Sequence, residues 1–255
     1  MPLLADLHNH SCLSPCGSLD LSPSALAHTA ARKGIRLLAL TDHNSALNVP
    51  AFIEACRREG IVPLFGMEAC TFEEVHILCL FPYLDQALAF GEDVYSLLPP
   101  IPNDPESMGD QVIVDVDEGI EGEEAYWLGS ALDLGVDDIG ARAAGFGGFC
   151  IPAHVDRPAF SMTSQLGFIP DGPWAALECV RLPPEVPTGF WPLTTSSDAH
   201  YLEHVGRRPF LLDIEEEALR DLGLGGRQVP AGCGAQDARK ALLDALSRRP
   251  CAQGQ

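Results

Sequence analysis

Six of the eight histidines in this sequence lie in short groups beside carboxylates. The groups are His8-Asn9-His10, Thr41-Asp42-His43, Glu68 followed by His76, Pro152-Ala153-His154 and Ser197-Asp198-Ala199-His200. Imidazole together with carboxylate favours zinc, manganese or iron over magnesium and calcium, which prefer oxygen ligands alone. One His-x-His pair would be weak evidence. Five separated groups indicate a multinuclear metal site and therefore an enzyme.

The apolar runs of the chain provide a scaffold that could bring these groups together. Residues 35–40 form a continuous apolar run, typical of a strand buried on both faces, and lead directly to Asp42 and His43. Residues 3–7 lead in the same way to His8, and residues 61–65 to Glu68. Active sites of parallel β/α folds lie at the carboxyl ends of the strands. Each group follows its predicted strand, apart from His76, which begins one, so we expect all of them at one edge.

Helical segments alternate with the predicted strands, as in an α/β fold. Ser22 and Pro23 predict the start of the first helix, and residues 235–247 form the last one. Residues 85–135 interrupt this alternation, with four prolines between residues 99 and 105 and a predicted hairpin turn at Asp117-Glu118-Gly119. We interpret residues 85–135 as an insertion, a lid or a wall of the pocket, within a single domain of residues 1–255.

The formal net charge of −20 at pH 7 argues against extended nucleic acid as a partner, because nonspecific binding to phosphate backbones needs a basic surface. A small anionic substrate is compatible with this charge, since bound metal ions can reverse its sign locally. No apolar run approaches the roughly 20 residues of a membrane helix, and the first residues do not resemble a signal peptide. The nine cysteines lie mostly in apolar segments and are odd in number, which favours a reducing compartment. We therefore expect a cytoplasmic protein.

The groups also resemble the motifs of a known family. The sequence is similar to the PHP domain superfamily, named for polymerases and histidinol phosphatases, and in particular to its stand-alone metal-dependent phosphoesterases. The matching segments are Asp6-Leu7-His8-Asn9-His10-Ser11, Leu40-Thr41-Asp42-His43-Asn44, Gly66-Met67-Glu68, Glu74-Val75-His76-Ile77-Leu78, Ile151-Pro152-Ala153-His154 and Ser197-Asp198-Ala199-His200.

This resemblance implies a distorted TIM-like barrel of seven β/α units and a site of two or three divalent ions with nine ligands. The first ion would be held by His8, His10, Glu68 and Asp198. Glu68 would bridge to a second ion, held also by His76 and His154. His43 and His200 would hold a third. The family's ninth ligand, usually histidine or aspartate, corresponds to Cys16, which can bind zinc or iron as a thiolate.

The ligand types suggest a mechanism of phosphoester hydrolysis. Adjacent divalent ions lower the pKa of a bound water, and the resulting hydroxide attacks phosphorus in line. A metal-bound water or Asp42 would protonate the leaving group, although Asp42 could instead orient a ligand imidazole. Arg157 is the best-placed cation for the substrate phosphate. We predict a metal-dependent phosphoesterase that hydrolyses a small phosphomonoester or phosphodiester.

Two other functions remain open. The first is an amidohydrolase-like metallohydrolase, since His-x-His on a barrel strand occurs there too. Such enzymes usually use a lysine as the metal bridge, and the two lysines here, Lys33 and Lys240, do not lie at predicted strand ends. The second is a non-catalytic PHP module that the metal only stabilises. A complete ligand set argues against that reading.

Overall fold

A curled six-stranded sheet lies at the centre of the fold. The computed structural model describes residues 2–219, 222 and 235–249. The strands are β1 (Leu3–Asp6), β2 (Leu37–Leu40), β3 (Val62–Cys70), β4 (His76–Phe81), β5 (Val112–Val114), β6 (Ile120–Glu123), β7 (Phe149–Pro152), β8 (Leu177–Glu178), β9 (Leu193–Thr194) and β10 (Phe210–Leu212). The large sheet has the order β10-β1-β2-β3-β4-β7, while β5 pairs with β6 and β8 pairs with β9.

Helices follow several of these strands. They are α1 (Pro23–Arg32), α2 (Val49–Glu59), α3 (Leu84–Tyr95), α4 (Pro105–Met108), α5 (Val136–Gly145), α6 (Met162–Leu166) and α7 (Ala235–Ser247). The predicted start of α1 is confirmed, because the Ser22 hydroxyl accepts a hydrogen bond from the Ala25 amide at 3.0 Å. The bounds of α7 also agree with the prediction. Among the described residues, no helix is long and apolar enough to cross a membrane.

The direction of two strands differs from the prediction, because β10 runs antiparallel to β1 and β4 runs antiparallel to β3. β1, β2 and β3 are parallel, as expected of β/α units. β4, however, forms an antiparallel hairpin with β3, in which Cys70 lies opposite His76. β3 also continues to Cys70, so Glu68 lies within the strand and does not follow it. Because β4 runs the opposite way, its first residue, His76, lies at the edge where the neighbouring strands end.

The mixed α/β class is confirmed, and the count of seven β/α units stays a prediction. Successive residues of a strand point to opposite faces of the sheet. Leu37 of β2 belongs to an apolar cluster that includes Leu246 of α7, whereas its neighbour Leu38 belongs to the cluster that includes Phe52 of α2. The sheet is therefore buried on both faces.

Residues 85–135 pack against the loops that follow β1 and β2. The Val112 amide donates to the Cys12 carbonyl at 3.0 Å. The Asn44 side chain donates to the carbonyls of Leu128 and Ser130, both at 2.8 Å. This segment thus supports the chain just beyond His10 and His43. Its role as a lid or wall stays a prediction.

Candidate metal centre

Eight of the nine predicted ligands lie at one edge of the curled sheet. An isolated parallel bridge pairs Asn9 with Ala199, and the Thr41 amide donates to the Asn9 carbonyl at 2.8 Å, so the segments after β1, β2 and β9 lie alongside one another. A second bridge pairs His43 with Glu68 of β3. Three overlapping groups of possible ligand atoms result: His8, His10 and Asp198; His10, His43 and His200; and His43, Glu68 and His76. His154 joins them through Glu68.

Glu68 lies at the centre of this arrangement and is 1% exposed. Its Oε1 atom lies 2.9 Å from Nδ1 of His76, 3.0 Å from Nε2 of His154 and 3.2 Å from Nε2 of His8. Its Oε2 atom lies 3.2 Å from Nδ1 of His43 and 3.4 Å from Nε2 of His10. The two oxygens of one carboxylate therefore face different sets of imidazoles, as a bridging ligand must.

Asp198 provides the second carboxylate. Its Oδ1 atom is buried without a hydrogen-bond partner among the described residues and lies 3.5 Å from Nε2 of both His8 and His10. Ligands about 2.0–2.2 Å from a common ion are separated from one another by roughly 3.0–3.5 Å. Asp198 also has φ +49° and His154 has φ +31°, backbone conformations that cost energy outside glycine. The donor atoms and their separations fit a multinuclear metal site.

Burial and neighbouring charges put most of these ligands in the protonation state that a cation requires. Burial, followed by the charge of His200, lowers the pKa of His10 to about 3. Burial also lowers the pKa of His43 and His154. For Glu68 burial favours the neutral form, but the surrounding imidazoles outweigh it and hold the pKa well below its ordinary value. Neutral imidazole and ionised carboxylate are the forms that bind metal.

His8 behaves differently from the other imidazoles. Burial opposes its protonation, but the carboxylates of Glu178, Glu68 and Asp198 outweigh burial and raise its pKa well above the ordinary value. A metal ion bound at Nε2 would therefore displace a proton from His8.

Glu178 is a functional residue that the sequence analysis missed. It is 2% exposed, and both its carboxylate oxygens lie 3.1 Å from Nδ1 of His8. Its Oε1 atom also accepts from the His154 amide at 3.3 Å. A carboxylate behind a ligand imidazole fixes the tautomer and the ring orientation. The available signal was a lone glutamate inside the apolar run of residues 176–180.

Asp42, predicted as catalytic, lies behind His10 and outside the three ligand groups. Nδ1 of His10 lies 2.9 Å from the Ser14 hydroxyl, which donates to Asp42 Oδ1 at 2.7 Å. The amide and the hydroxyl of Ser11 also donate to Asp42, at 2.6 and 2.7 Å. Burial raises the pKa of Asp42, and these hydrogen bonds oppose the rise. Its carboxylate reaches the centre only through Ser14.

Cys16 and Arg157 lie at the margin of the centre. Cys16 is exposed and belongs to none of the ligand groups found among the described residues. Desolvation, followed by the negative charge of Glu68, raises the pKa of its thiol to about 12. Arg157 is half-buried, and its guanidinium donates to Asp198 Oδ2 at 3.0 Å, on the opposite side of that carboxylate from the unpartnered Oδ1.

Comparison with known proteins finds a family match over part of the chain. The protein-family model of the PHP domain matches residues 6–96, the segment that carries His8, His10, His43, Glu68 and His76. Residues 6–96 are PHP-domain sequence. Over 69 residues it is 36% identical to the PolC-type DNA polymerase III of Streptococcus suis (strain 98HAH33), a segment that covers 27% of this chain and 5% of the polymerase.

Solved structures share the fold of this chain at low identity. The endonuclease Q of Pyrococcus furiosus, a lesion-specific endonuclease, has a TM-score of 0.61 and 20% identity over 96% of this chain and 56% of its own. A protein from Bifidobacterium adolescentis assigned as a metal-dependent phosphoesterase has a TM-score of 0.54 and 17% identity over 98% of both chains. This chain thus spans just over half of endonuclease Q.

The prediction against extended nucleic acid is wrong. Endonuclease Q has also been solved with a 27-mer duplex substrate whose abasic lesion lies at the active site, and that structure shares this fold with a TM-score of 0.57 and 20% identity over 89% of this chain and 58% of its own. The net charge of a chain sums its whole surface, whereas a nucleic acid contacts only part of it. The charge of −20 therefore does not exclude such a partner.

Proposed function

We propose that this PHP-domain protein is a metal-dependent phosphoesterase. The observation that carries the proposal is the position of Glu68, whose two oxygens face different sets of imidazoles at 2.9–3.4 Å. Two or three ions of zinc, manganese or iron would bind there. The first would be held by His8, His10, Glu68 and Asp198. The second would be held by Glu68, His76 and His154. The third would be held by His43, His200 and Cys16.

Such ions, when bound, supply a hydroxide nucleophile near neutral pH and polarise a phosphoryl oxygen. The residues of this chain prepare the site for that chemistry. Glu178 and Ser14 hold the rings of His8 and His10 from behind, so their Nε2 atoms stay directed at the centre. Arg157, at the rim, pairs with an equatorial oxygen of the substrate phosphate as charge develops there.

We assign Asp42 a positioning role through Ser14 in preference to proton donation. Three hydrogen bonds occupy its carboxylate, and the Ser14 hydroxyl stands between it and His10. A proton on Asp42 would have no direct path to a leaving group. The same hydrogen bonds make Asp42 well suited to hold Ser14, and through it His10, in one orientation.

The lysine positions favour a phosphoesterase over an amidohydrolase-like enzyme. The Lys33 ammonium donates to the carbonyls of Glu203 and Val205, and Lys240 lies on α7. Those carbonyls engage Lys33, and Lys240 is exposed, so neither lysine is a candidate for a bridge between buried metals.

A nuclease acting on DNA is a second candidate within the same chemistry. It is favoured by the fold shared with endonuclease Q over 96% of this chain. The two candidates differ in the substrate, a small phosphate ester or a nucleic-acid strand, and both require the same metal centre.

Metal analysis and a hydrolysis assay together test the proposal. The purified protein should contain at least two equivalents of a transition metal and should lose turnover of para-nitrophenyl phosphate or of its bis-ester after chelation. Zinc, manganese or iron should restore it. Glu68→Gln should lower both metal content and turnover, the latter more than about a hundredfold.

His28→Ala is the matched control, because His28 is exposed on α1 and pairs with Glu59 at the surface. This variant should change neither the metal content nor the turnover. A wild-type protein that binds these metals and hydrolyses no phosphoester would contradict the proposal and favour a non-catalytic module.

A further inference from the structure

A second cavity opens beside the metal centre. It has a volume of about 450 Å³ and shares Asp198 with the centre. Four arginines line it, Arg157, Arg181, Arg207 and Arg208. The catalytic proposal uses only Arg157, so three guanidinium groups in this cavity have no assigned role.

Two of these arginines hold the loop that carries Asp198. Arg207 donates from Nε to the Ser197 carbonyl at 2.5 Å and from Nη2 to the Asp198 carbonyl at 3.0 Å. Arg208 donates from Nε to the Ser196 carbonyl at 2.9 Å and from Nη2 to the Ser197 carbonyl at 3.1 Å. Carbonyl oxygens satisfy the donors without neutralising the charge. Each guanidinium also keeps a terminal Nη1 group that none of these hydrogen bonds uses.

The positive charges lie close enough to affect one another. Burial and then the charge of Arg208 lower the pKa of Arg207, and Arg157 contributes in the same direction. Crowded guanidinium groups favour an anion that can contact several of them at once.

The carboxylates that line the cavity do not neutralise these guanidinium groups together. Both oxygens of Asp156 accept backbone amides, from Val180 at 2.6 Å and from Arg181 at 3.0 Å. Asp198 contacts Arg157 and belongs to the metal centre. Glu185 is exposed and makes no ion pair within the described part of the chain. The exposed Arg181 guanidinium likewise has no hydrogen-bond or ion-pair partner among the described residues.

We propose that this cavity binds a second phosphate of the substrate, next to the phosphate that is hydrolysed at the metal centre. The inference rests on the proposed function, because the first phosphate has to occupy that centre. Arg157 contacts Asp198 on one side and lines the cavity on the other, so it lies between the two phosphates. Guanidinium groups bind phosphate through paired hydrogen bonds, and the cavity offers several such groups. A bisphosphorylated nucleoside and a nucleic-acid strand both supply this chemistry.

Arg181→Gln tests the inference, because it removes a guanidinium that holds no other part of the fold. Calorimetry measures the binding of non-hydrolysable phosphonate analogues of a nucleoside bisphosphate and of the matching monophosphate to the metal-loaded protein. The wild type should prefer the bisphosphate, and Arg181→Gln should reduce that preference about tenfold. Arg57→Gln, an exposed arginine of α2 that pairs with Glu54, is the matched control and should preserve it.

Hydrolysis by the metal-loaded protein provides the second readout. The ratio of kcat/KM for the bisphosphate to that for the monophosphate should fall about tenfold in Arg181→Gln. A short oligonucleotide is assayed in parallel. A higher kcat/KM for the oligonucleotide than for the bisphosphate would identify a nucleic-acid strand as the source of the second phosphate, and the reverse would identify the nucleoside bisphosphate.

The outcomes separate this inference from the proposed function. Equal binding of bisphosphate and monophosphate, unaffected by Arg181→Gln, would overturn the second-phosphate site even if monoesters are hydrolysed. Arg181-dependent binding in a protein that hydrolyses no phosphoester would support the cavity and contradict the proposed function.

Discussion

Both carboxylate oxygens of Glu178 lie 3.1 Å from Nδ1 of His8, on the side of the ring opposite the metal centre. Nε2 of the same ring lies 3.2 Å from Glu68 and 3.5 Å from Asp198. One imidazole therefore connects three buried carboxylates. Its orientation controls how well the ligand atoms of the centre can converge.

Glu178→Gln should weaken metal binding without removing a metal ligand. Glutamine keeps the shape of the side chain but loses the charge that orients His8 and raises its basicity. We expect roughly a 10–100-fold loss of metal affinity, measured by competition with a chelator. Glu185→Gln, an exposed glutamate, is the control. An unchanged affinity in Glu178→Gln would show that His8 is held by packing alone.

Asp42→Asn should distinguish positioning from proton donation. If Asp42 holds His10 through Ser14, the variant should lose metal affinity and kcat together, and the pH profile of kcat should keep its shape. Ser14→Ala should show the same pattern, since it breaks the same link. A variant with normal metal affinity, a large loss of kcat and an altered basic limb would instead identify Asp42 as the proton donor.

The metal-free protein should lose stability as the pH falls. His10, His43 and His154 have native pKa values below the ordinary value of about 6.5, chiefly because of burial. Below that pH the unfolded chain binds protons that the native protein does not. The free energy of unfolding therefore falls by up to about 1.4 kcal/mol per pH unit for each of these groups.

His8 contributes with the opposite sign in another pH range. Its native pKa is raised, so its contribution is complete below about pH 6.5 and is lost as the pH rises through the native value. Urea unfolding of the metal-free protein between about pH 4 and pH 7 measures the slope. His43→Asn should flatten it, while the exposed control His28→Asn should not. A slope of zero would contradict the pKa values of the buried imidazoles.

Cys16 should affect the number of bound metals if its thiolate is the ninth ligand. Its thiol pKa of about 12 means that the metal-free protein keeps it protonated near neutral pH, so only a bound cation would ionise it. Cys16→Ala should then lose up to one metal equivalent and should abolish the thiolate charge-transfer band of the cobalt-substituted protein. Cys56→Ala, buried in α2, is the control. A band that persists in Cys16→Ala would exclude Cys16 as a ligand.

Residue type and order predicted most of the centre. Imidazoles and carboxylates beside apolar runs were sufficient to place eight ligands at one edge, because the ends of parallel strands meet there. The antiparallel direction of β4 could not be predicted, since a short apolar run has the same pattern in either direction. His76 was assigned to the site from its motif, and the hairpin with β3 explains why a residue at the start of a strand reaches it.

Glu178 and the arginine cavity were harder to predict for a different reason. A single glutamate in an apolar run has many explanations until the fold places it behind His8. The arginines come from segments distant in sequence, so no local pattern contains their cluster. The net charge led to the wrong prediction about nucleic acid for the same reason, because it contains no information about where on the surface the charges lie.

The segment after β1 pairs with the segment after β9, so the candidate metal centre lies where two distant parts of the chain join. The Asp198 amide donates to the His8 carbonyl at 2.8 Å, and the His10 amide donates to the Ala199 carbonyl at 3.0 Å. A first ion held by His8, His10 and Asp198 would join an early and a late part of the chain, and its binding would offset the entropy of closing that long loop. Glu68 and His76, in contrast, lie on the two strands of one hairpin, so no long loop has to close to bring them together. Loading the first ion would therefore report that the segments after β1 and β9 have come together, whereas Glu68 can be positioned before they have.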